Sequence, residues 1–291
     1  MTQPQTHTLV TPDVDLVYDV RGPLPPAAGN PVLVMIGQPM TADGFGALAA
    51  HFTDRTVVTY DPRGLGRSTT RRDGRTDHTP QDQAADLHAL VGELGAGPVD
   101  VFASSGGAVT ALAWVAAHPD DVATLVAHEP PINAVLPDAE AATRGRARFN
   151  DAYEAKGFGA GMAAFMAMAA WQGEFTEEFF AQPLPDPALM GMPATDDGNR
   201  DDPLLSRKSW AVTDFQPDAA ALTAAPTRIV IAVGEESAGT YTARTALGTA
   251  ALLGQEATVF PSHHGGFLGG EFGYAGKPEE FAAKLRAVLQ R

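Results

Sequence analysis

The chain of 291 residues contains no cysteine. Disulfides, thiolate metal centres and cysteine nucleophiles are therefore all excluded. Positive charge is also scarce: 20 Lys and Arg stand against 35 Asp and Glu, a net charge of −15. An acidic surface repels phosphate backbones and anionic headgroups, so neither nucleic acid nor a membrane is an expected partner. No run approaches the roughly 18 apolar residues that a membrane span needs. The N-terminal segment lacks the basic stretch and apolar core of a secretory signal. A soluble, cytoplasmic protein is the expectation. The Gly-x-Gly-x-x-Gly pattern is absent, and no Lys follows the glycine pair Gly106–Gly107 as a phosphate loop would require. No cofactor and no metal are expected. There is no internal repeat and no low-complexity segment.

What is present suits a core of substantial size, with 44% hydrophobic residues. Apolar-rich runs at 32–36, 57–60, 99–102, 122–127, 229–233 and 257–260 read as buried strands, the first of them continuously apolar as expected of a strand covered on both faces. An alternating stretch at 15–20 reads as an early strand. Between the runs lie segments of helical periodicity at 45–52, 80–94, 108–117, 241–253 and 278–289. Strands alternating with helices predict an α/β protein with a mostly parallel central sheet and helices on both faces. Residues 21–30 are rich in Pro and Gly and read as a loop. The alternation breaks after Pro131. From 132 to 216 no buried strand appears, and the segment is Ala- and Met-rich with a helical stretch at 162–171. The expected organisation is a core of residues 1–131 and 217–291 with a helical cap at 132–216.

Residues 99–110, VDVFASSGGAVT, pass from a buried strand into a helix through small residues. Such a turn displays a nucleophile at its apex only if the residues two before and two after it are tiny. Ser105 has Ala103 and Gly107 at those places, whereas Ser104 would have Phe102. Ser105 is the candidate nucleophile. A serine hydroxyl needs a base, and the base needs an acid to hold it. In a parallel sheet these partners should follow later strands at the same edge. After the last strand stands His263-His264-Gly265-Gly266. His264 is the favoured base and His263 its alternative. For the acid, Glu129 follows the strand at 122–127. About 12 helical residues carry the chain roughly 18 Å away from Ser105. About six strand residues bring it back roughly 20 Å. Glu235 and Glu236, after the strand at 229–233, are the alternatives. The oxyanion hole needs two backbone N–H groups. Gly106 at the helix start and Gln38 after the strand at 32–36 are the candidates. Asp61, Arg63 and Ser68 read as structural. Met162, Met166 and Trp171 are candidate pocket residues, their side chains being adaptable or aromatic.

Four segments together resemble the α/β-hydrolase superfamily: IGQP at 36–39, DPRGLGRS at 61–68, ASSGG at 103–107 and HHGGF at 263–267. They come in that family's order and span the sheet frame. Ala103 stands where the family's elbow usually has Gly, and Ile36 where it usually has His. Ser237, three residues after Gly234, stands where many members carry the triad Asp. AHEPP at 127–131 resembles the zearalenone-type lactonases, whose triad is Ser, Glu, His with Glu after the strand that follows the elbow. That resemblance implies Ser105–Glu129–His264. Haloalkane dehalogenases include members with Glu at this place, but their nucleophile is Asp, and Ser105 sets this chain apart from them. The implied activity is hydrolysis of a carboxylic ester or lactone of a small, largely apolar substrate through an acyl-enzyme. The alternatives are a small-molecule receptor on the same fold with weak hydrolysis, and a perhydrolase or C–C hydrolase. None of these features specifies the oligomeric state.

Overall fold

The computed structural model describes residues 3–26, 29–71 and 79–290. Among the described residues nine strands form one sheet: β1 (Gln5–Val10), β2 (Val14–Arg21), β3 (Leu33–Gln38), β4 (Val57–Tyr60), β5 (Thr69–Thr70), β6 (Val99–Ser105), β7 (Val122–His128), β8 (Arg228–Gly234) and β9 (Thr258–Phe260). Their order is β1-β2-β4-β3-β6-β7-β8-β9, with β5 paired to β2. Every pairing from β4 through β9 is parallel. The antiparallel pairs are β1–β2, β2–β4 and β2–β5. The edge strand β1 has no counterpart among the apolar runs. Its residues QTHTLV are almost all exposed, so it carries no burial pattern to read. Of the loop expected at 21–30, residues 27 and 28 lie outside the described residues.

Alternation along the strands divides the core between the two faces of the sheet. Val34 and Ile36 of β3 and Val101 and Ala103 of β6 point to one face. There they meet α2 (Pro80–Leu94), α3 (Gly106–Ala117), α8 (Ala219–Ala224) and α9 (Tyr241–Leu252). Leu33, Met35 and Phe102 point to the other. They meet α1 (Gly46–Ala49) and α10 (Pro278–Leu289), whose Phe281 is fully buried among Phe102, Phe260 and Phe267. Burying a side chain of that size contributes about 3 kcal/mol.

Local chemistry sets the helix ends. Thr79 and Asp82 form a reciprocal capping box at the start of α2, Pro80 occupies its first turn, and Gly95 ends it in a left-handed conformation at φ 58°. The helix α3 is buried on nearly all sides, so it lacks the amphipathic stripe of a surface helix.

Between β7 and β8 come α4 (Ala139–Lys156), α5 (Phe158–Ala170), α6 (Glu177–Ala181), α7 (Trp210–Thr213) and α8. Phe149, Tyr153, Met168, Phe175 and Phe179 form a third apolar cluster in this layer. Arg146 ties α4 to α7, donating to the Trp210 carbonyl, Thr213 and Asp214. No helix among the described residues is long and apolar enough to cross a membrane.

Candidate active site

Ser105 ends β6 and immediately precedes α3. Its backbone has φ 56° and ψ −129°, a conformation that L-residues avoid. The close approach of β3 explains the glycines that follow. A Cβ on Gly107 would lie 2.7 Å from the Gly37 Cα, and one on Gly106 would lie 2.8 Å from the Gln38 carbonyl oxygen. Neither position admits another residue without moving the strand. Ala103 is buried against the same packing, so the residue two before Ser105 is small for the expected reason.

The sheet register brings Glu129 to the same edge. Ser104 pairs with His128 across β6 and β7, so Ser105 and Glu129 leave adjacent strands side by side. The Glu129 N–H donates to the Ala232 carbonyl at 3.0 Å, extending the β7–β8 pairing by one residue. Its φ of 49° then turns the side chain over the end of β8. Glu129 Oε1 accepts from the Gly234 N–H at 2.9 Å. Oε2 accepts from Thr242 Oγ1 at 2.6 Å and meets His264 Nδ1 at 2.6 Å.

Glu129 is fully buried, which by itself would raise its pKa. The hydrogen bond and charge of His264, together with the Thr242 hydroxyl, outweigh that burial and hold the carboxyl well below the usual range. The group is an anion at neutral pH. It meets His264 through Nδ1, and Nε2 has no hydrogen-bond partner among the described residues. The His264 side chain is 36% exposed, and Ser105 Oγ makes no hydrogen bond among the described residues. Nucleophile–base contacts of this kind often close only with substrate present.

The rival residues are engaged elsewhere. His263 accepts the Gly265 N–H on Nδ1 and meets the Ala275 carbonyl through Nε2. Glu235 and Glu236 are half-exposed and pair with Lys277. Ser237 is buried and carries no carboxylate, and the Glu129 side chain reaches the end of β8 from the neighbouring strand. Thr242 lay beyond sequence reasoning. It sits two residues into α9's approach to the sheet edge and meets Glu129 only through tertiary packing. Val212 of α7 is a second such residue, its Cγ1 lying 3.3 Å from where a Gly106 Cβ would be.

Asp61 organises the loop beneath the edge. It accepts from the N–H groups of Ala42 and Arg67, each at 2.9 Å, and from the Arg67 guanidinium. Ser68 donates to the Asp61 carbonyl, and Arg63 makes a forked pair with Asp86. All three residues act as structural links. Gln38 pairs with Ser105 in the sheet and accepts weakly from Thr110 Oγ1 at 3.5 Å. Met162 packs within the helical layer, Met166 is 38% exposed, and Trp171 packs on Phe179 with its indole N–H on the Glu174 carbonyl. A groove of about 490 Å³ on the outer side of α4, flanked by Arg144, Arg148 and Phe180, includes none of Ser105, Glu129 and His264 in its lining.

His128 stands directly beneath this pair. It is fully buried, lies 6.0 Å from the His264 ring centre at 28°, and is enclosed by Phe102, Phe260 and Phe281. Among the described residues neither ring nitrogen has a hydrogen-bond partner. Burial pushes its pKa down to about 4. The unfolded chain takes up this proton near pH 6.5, whereas the folded chain resists it until about pH 4. Stability is therefore full above pH 6.5 and falls by roughly 3 kcal/mol on acidification to pH 4. Urea unfolding at pH 7 and pH 4.5 checks this. In His128→Phe the acid loss should shrink by most of that amount, and an unchanged pH slope would refute the account.

A serine at a strained strand-to-helix turn, above a parallel sheet flanked by helices, defines a hydrolase architecture. Residues 30–230, more than half the chain, match the family described as alpha/beta hydrolase fold, and the chain belongs to that family. It is 36% identical over 126 residues to the uncharacterized hydrolase YraK of Bacillus subtilis (strain 168), covering 42% of this chain and 44% of that one. It is 34% identical over 99 residues to a proline iminopeptidase of Xylella fastidiosa (strain 9a5c), covering 34% and 31%. The matches thus span less than half the length of these curated relatives. Two solved structures share the fold. An α/β-hydrolase enzyme from a Medee basin deep-sea metagenome library superposes with a TM-score of 0.66 at 17% identity, covering 98% of both chains. A thermophilic esterase from Thermogutta terrifontis gives 0.60 at 22%, covering 99% of this chain and 98% of that one.

Proposed function

We propose that this hydrolase cleaves a carboxylic ester or lactone of a small, largely apolar molecule through a serine acyl-enzyme. In this reading His264 Nε2 takes the proton of Ser105 Oγ as the oxygen attacks the carbonyl carbon. The tetrahedral oxyanion is held by the N–H groups of Gly106 and Gln38. Collapse expels the alcohol, which receives the proton from His264. Water, deprotonated by the same nitrogen, then releases the acid. Glu129 keeps the imidazole in the reactive tautomer and stabilises its cation.

The observation that carries this reading is the 2.6 Å bond from His264 Nδ1 to an ionised, buried Glu129, one strand over from Ser105. A further support is that Ser105 makes no side-chain cap to α3, so the first N–H groups of that helix are left for an oxyanion. The segment 132–216 would then be the cap over the site, with α7 nearest the elbow and Met162, Met166 and Trp171 as candidates for its outer wall. The likeness of AHEPP at 127–131 to lactonases favours cyclic esters among the substrates to try.

The test is intact-mass analysis after treatment with an aryl phosphonate, followed by a panel of aryl esters and lactones. One adduct on Ser105, with turnover on at least one ester class, is expected. A folded chain that takes no adduct and turns over no ester would overturn the proposal.

A further inference from the structure

At the far end of α3 from Ser105, three side chains converge that play no part in the hydrolytic reading. His88 projects from the middle of α2, His118 caps the C-terminus of α3, and Asp121 ends the short turn Pro119–Asp121 that leads into β7. One ligand atom from each lies within 4.8 Å of the other two. The His88 and His118 rings stack face to face at 3.8 Å and 8°. His88 Nδ1 meets Asp121 Oδ2 at 2.7 Å. The same oxygen accepts from Nε1 of the fully buried Trp114 at 2.8 Å.

We infer that His88, His118 and Asp121 form a binding site for a divalent transition-metal ion, Zn²⁺ being the reference ion. Ligands 2.0–2.1 Å from a tetrahedral zinc stand roughly 3.4 Å apart. An imidazole lone pair lies in the ring plane, so one ring must turn out of the stack for both to aim at one ion, and the His88 side chain, 51% exposed, is free to turn. The two imidazoles and one carboxylate select borderline ions such as Zn²⁺, Ni²⁺ and Cu²⁺ over Mg²⁺ and Ca²⁺, which want more oxygens. The carboxylate is held in place by a buried indole N–H, the outer support that metal-binding carboxylates usually have. Two further features fix the frame: His118 N–H donates to the Trp114 carbonyl, and Asp121 N–H donates to the His118 carbonyl. The net charge of −15 draws cations toward the surface. Bound metal would clamp α2 to the turn between α3 and β7. The 12 residues of α3 put it roughly 18 Å from Ser105, so it stabilises the frame and takes no part in the reaction.

The experiment uses the untagged full chain, stripped with chelator, titrated calorimetrically with ZnCl₂ and melted with and without it. One site and a Tm rise of about 4 °C at free Zn²⁺ about 100 times its Kd are expected. MgCl₂ should produce neither. Both effects should vanish in His118→Ala and in His88→Gln, the latter keeping a polar partner for Asp121. His88 is exposed and His118 half-buried, so the metal-free Tm of each variant should stay close to the parent, and that melt guards against a folding defect. Zinc binding that survives in both variants, or an unmodified chain that takes up no zinc, would overturn the inference.

Discussion

Replacing Ser105 by glycine should lower ester turnover by about 10⁶-fold while making the protein more stable. In the proposed mechanism the first effect follows from removing the attacking oxygen, which leaves only binding and oxyanion stabilisation. The second follows from the backbone. Ser105 sits at φ 56° and ψ −129°, a conformation that costs a residue with a Cβ about 1–3 kcal/mol and glycine almost nothing. Glycine returns about 0.5–1 kcal/mol of that through the greater freedom of the unfolded chain. A net gain of about 1 kcal/mol remains, roughly 2 °C in Tm for a chain of this length. Ser105→Ala should lose turnover equally without the gain. Thermal melts and ester assays on the two variants separate these effects. Turnover within a hundredfold of the parent in either variant would rule out Ser105 as the nucleophile.

Glu129→Gln should lower kcat by about 10⁴-fold, the loss expected when an imidazole is held in the wrong tautomer. The glutamine oxygen can still accept the Gly234 N–H, as Oε1 does now at 2.9 Å. Its amide N–H₂ would then face His264 Nδ1, donating where the carboxylate accepts. The ring would place its proton on Nε2 and lose the lone pair that takes the serine proton. Thr242 would also lose its acceptor at 2.6 Å. Glu235→Gln and Glu236→Gln should change kcat less than twofold, since both carboxylates face solvent and pair with Lys277. Steady-state kinetics on the three variants decides the matter. A large loss confined to Glu235→Gln or Glu236→Gln would move the acid to β8. Acid also weakens the wild-type pair: because the Glu129 carboxyl is held below its ordinary value, its stabilisation is full above about pH 4.5 and is lost as pH falls through the lowered value. This adds to the loss that His128 begins at higher pH.

Much of the frame was legible before any coordinates. Residues 80–94 and 278–289 match the bounds of α2 and α10, because Pro stands at the start of each and apolar residues recur at helical spacing. The buried strands β3, β4, β6, β7 and β8 were legible as apolar-rich runs, a consequence of helices covering both sheet faces. The exposed β1 was not, since a solvated edge strand need not pattern its residues at all. In the site, the turn at Ser105 could be assigned from side-chain size alone. Gly107 must be glycine because β3 passes within 2.7 Å of its Cβ direction, a local constraint that leaves a local mark.

The acid was open to two strands for a different reason. Glu129, Glu235 and Glu236 all follow strands ending at the same sheet edge, so connectivity alone admits each of them. Choosing among them takes the direction of a side chain, and that depends on the positive φ of Glu129 and the amide of Gly234 beyond it. Thr242 and the platform of His128 depend in the same way on residues far apart in the chain. The amino-acid order by itself determined the parallel sheet, the elbow and the edge at which partners must lie, because these follow from burial period and steric size within a few residues. Only the tertiary structure decided which carboxylate meets which imidazole, because a 2.6 Å bond between residues 129 and 264 is set by the packing of whole strands rather than by any short stretch of sequence.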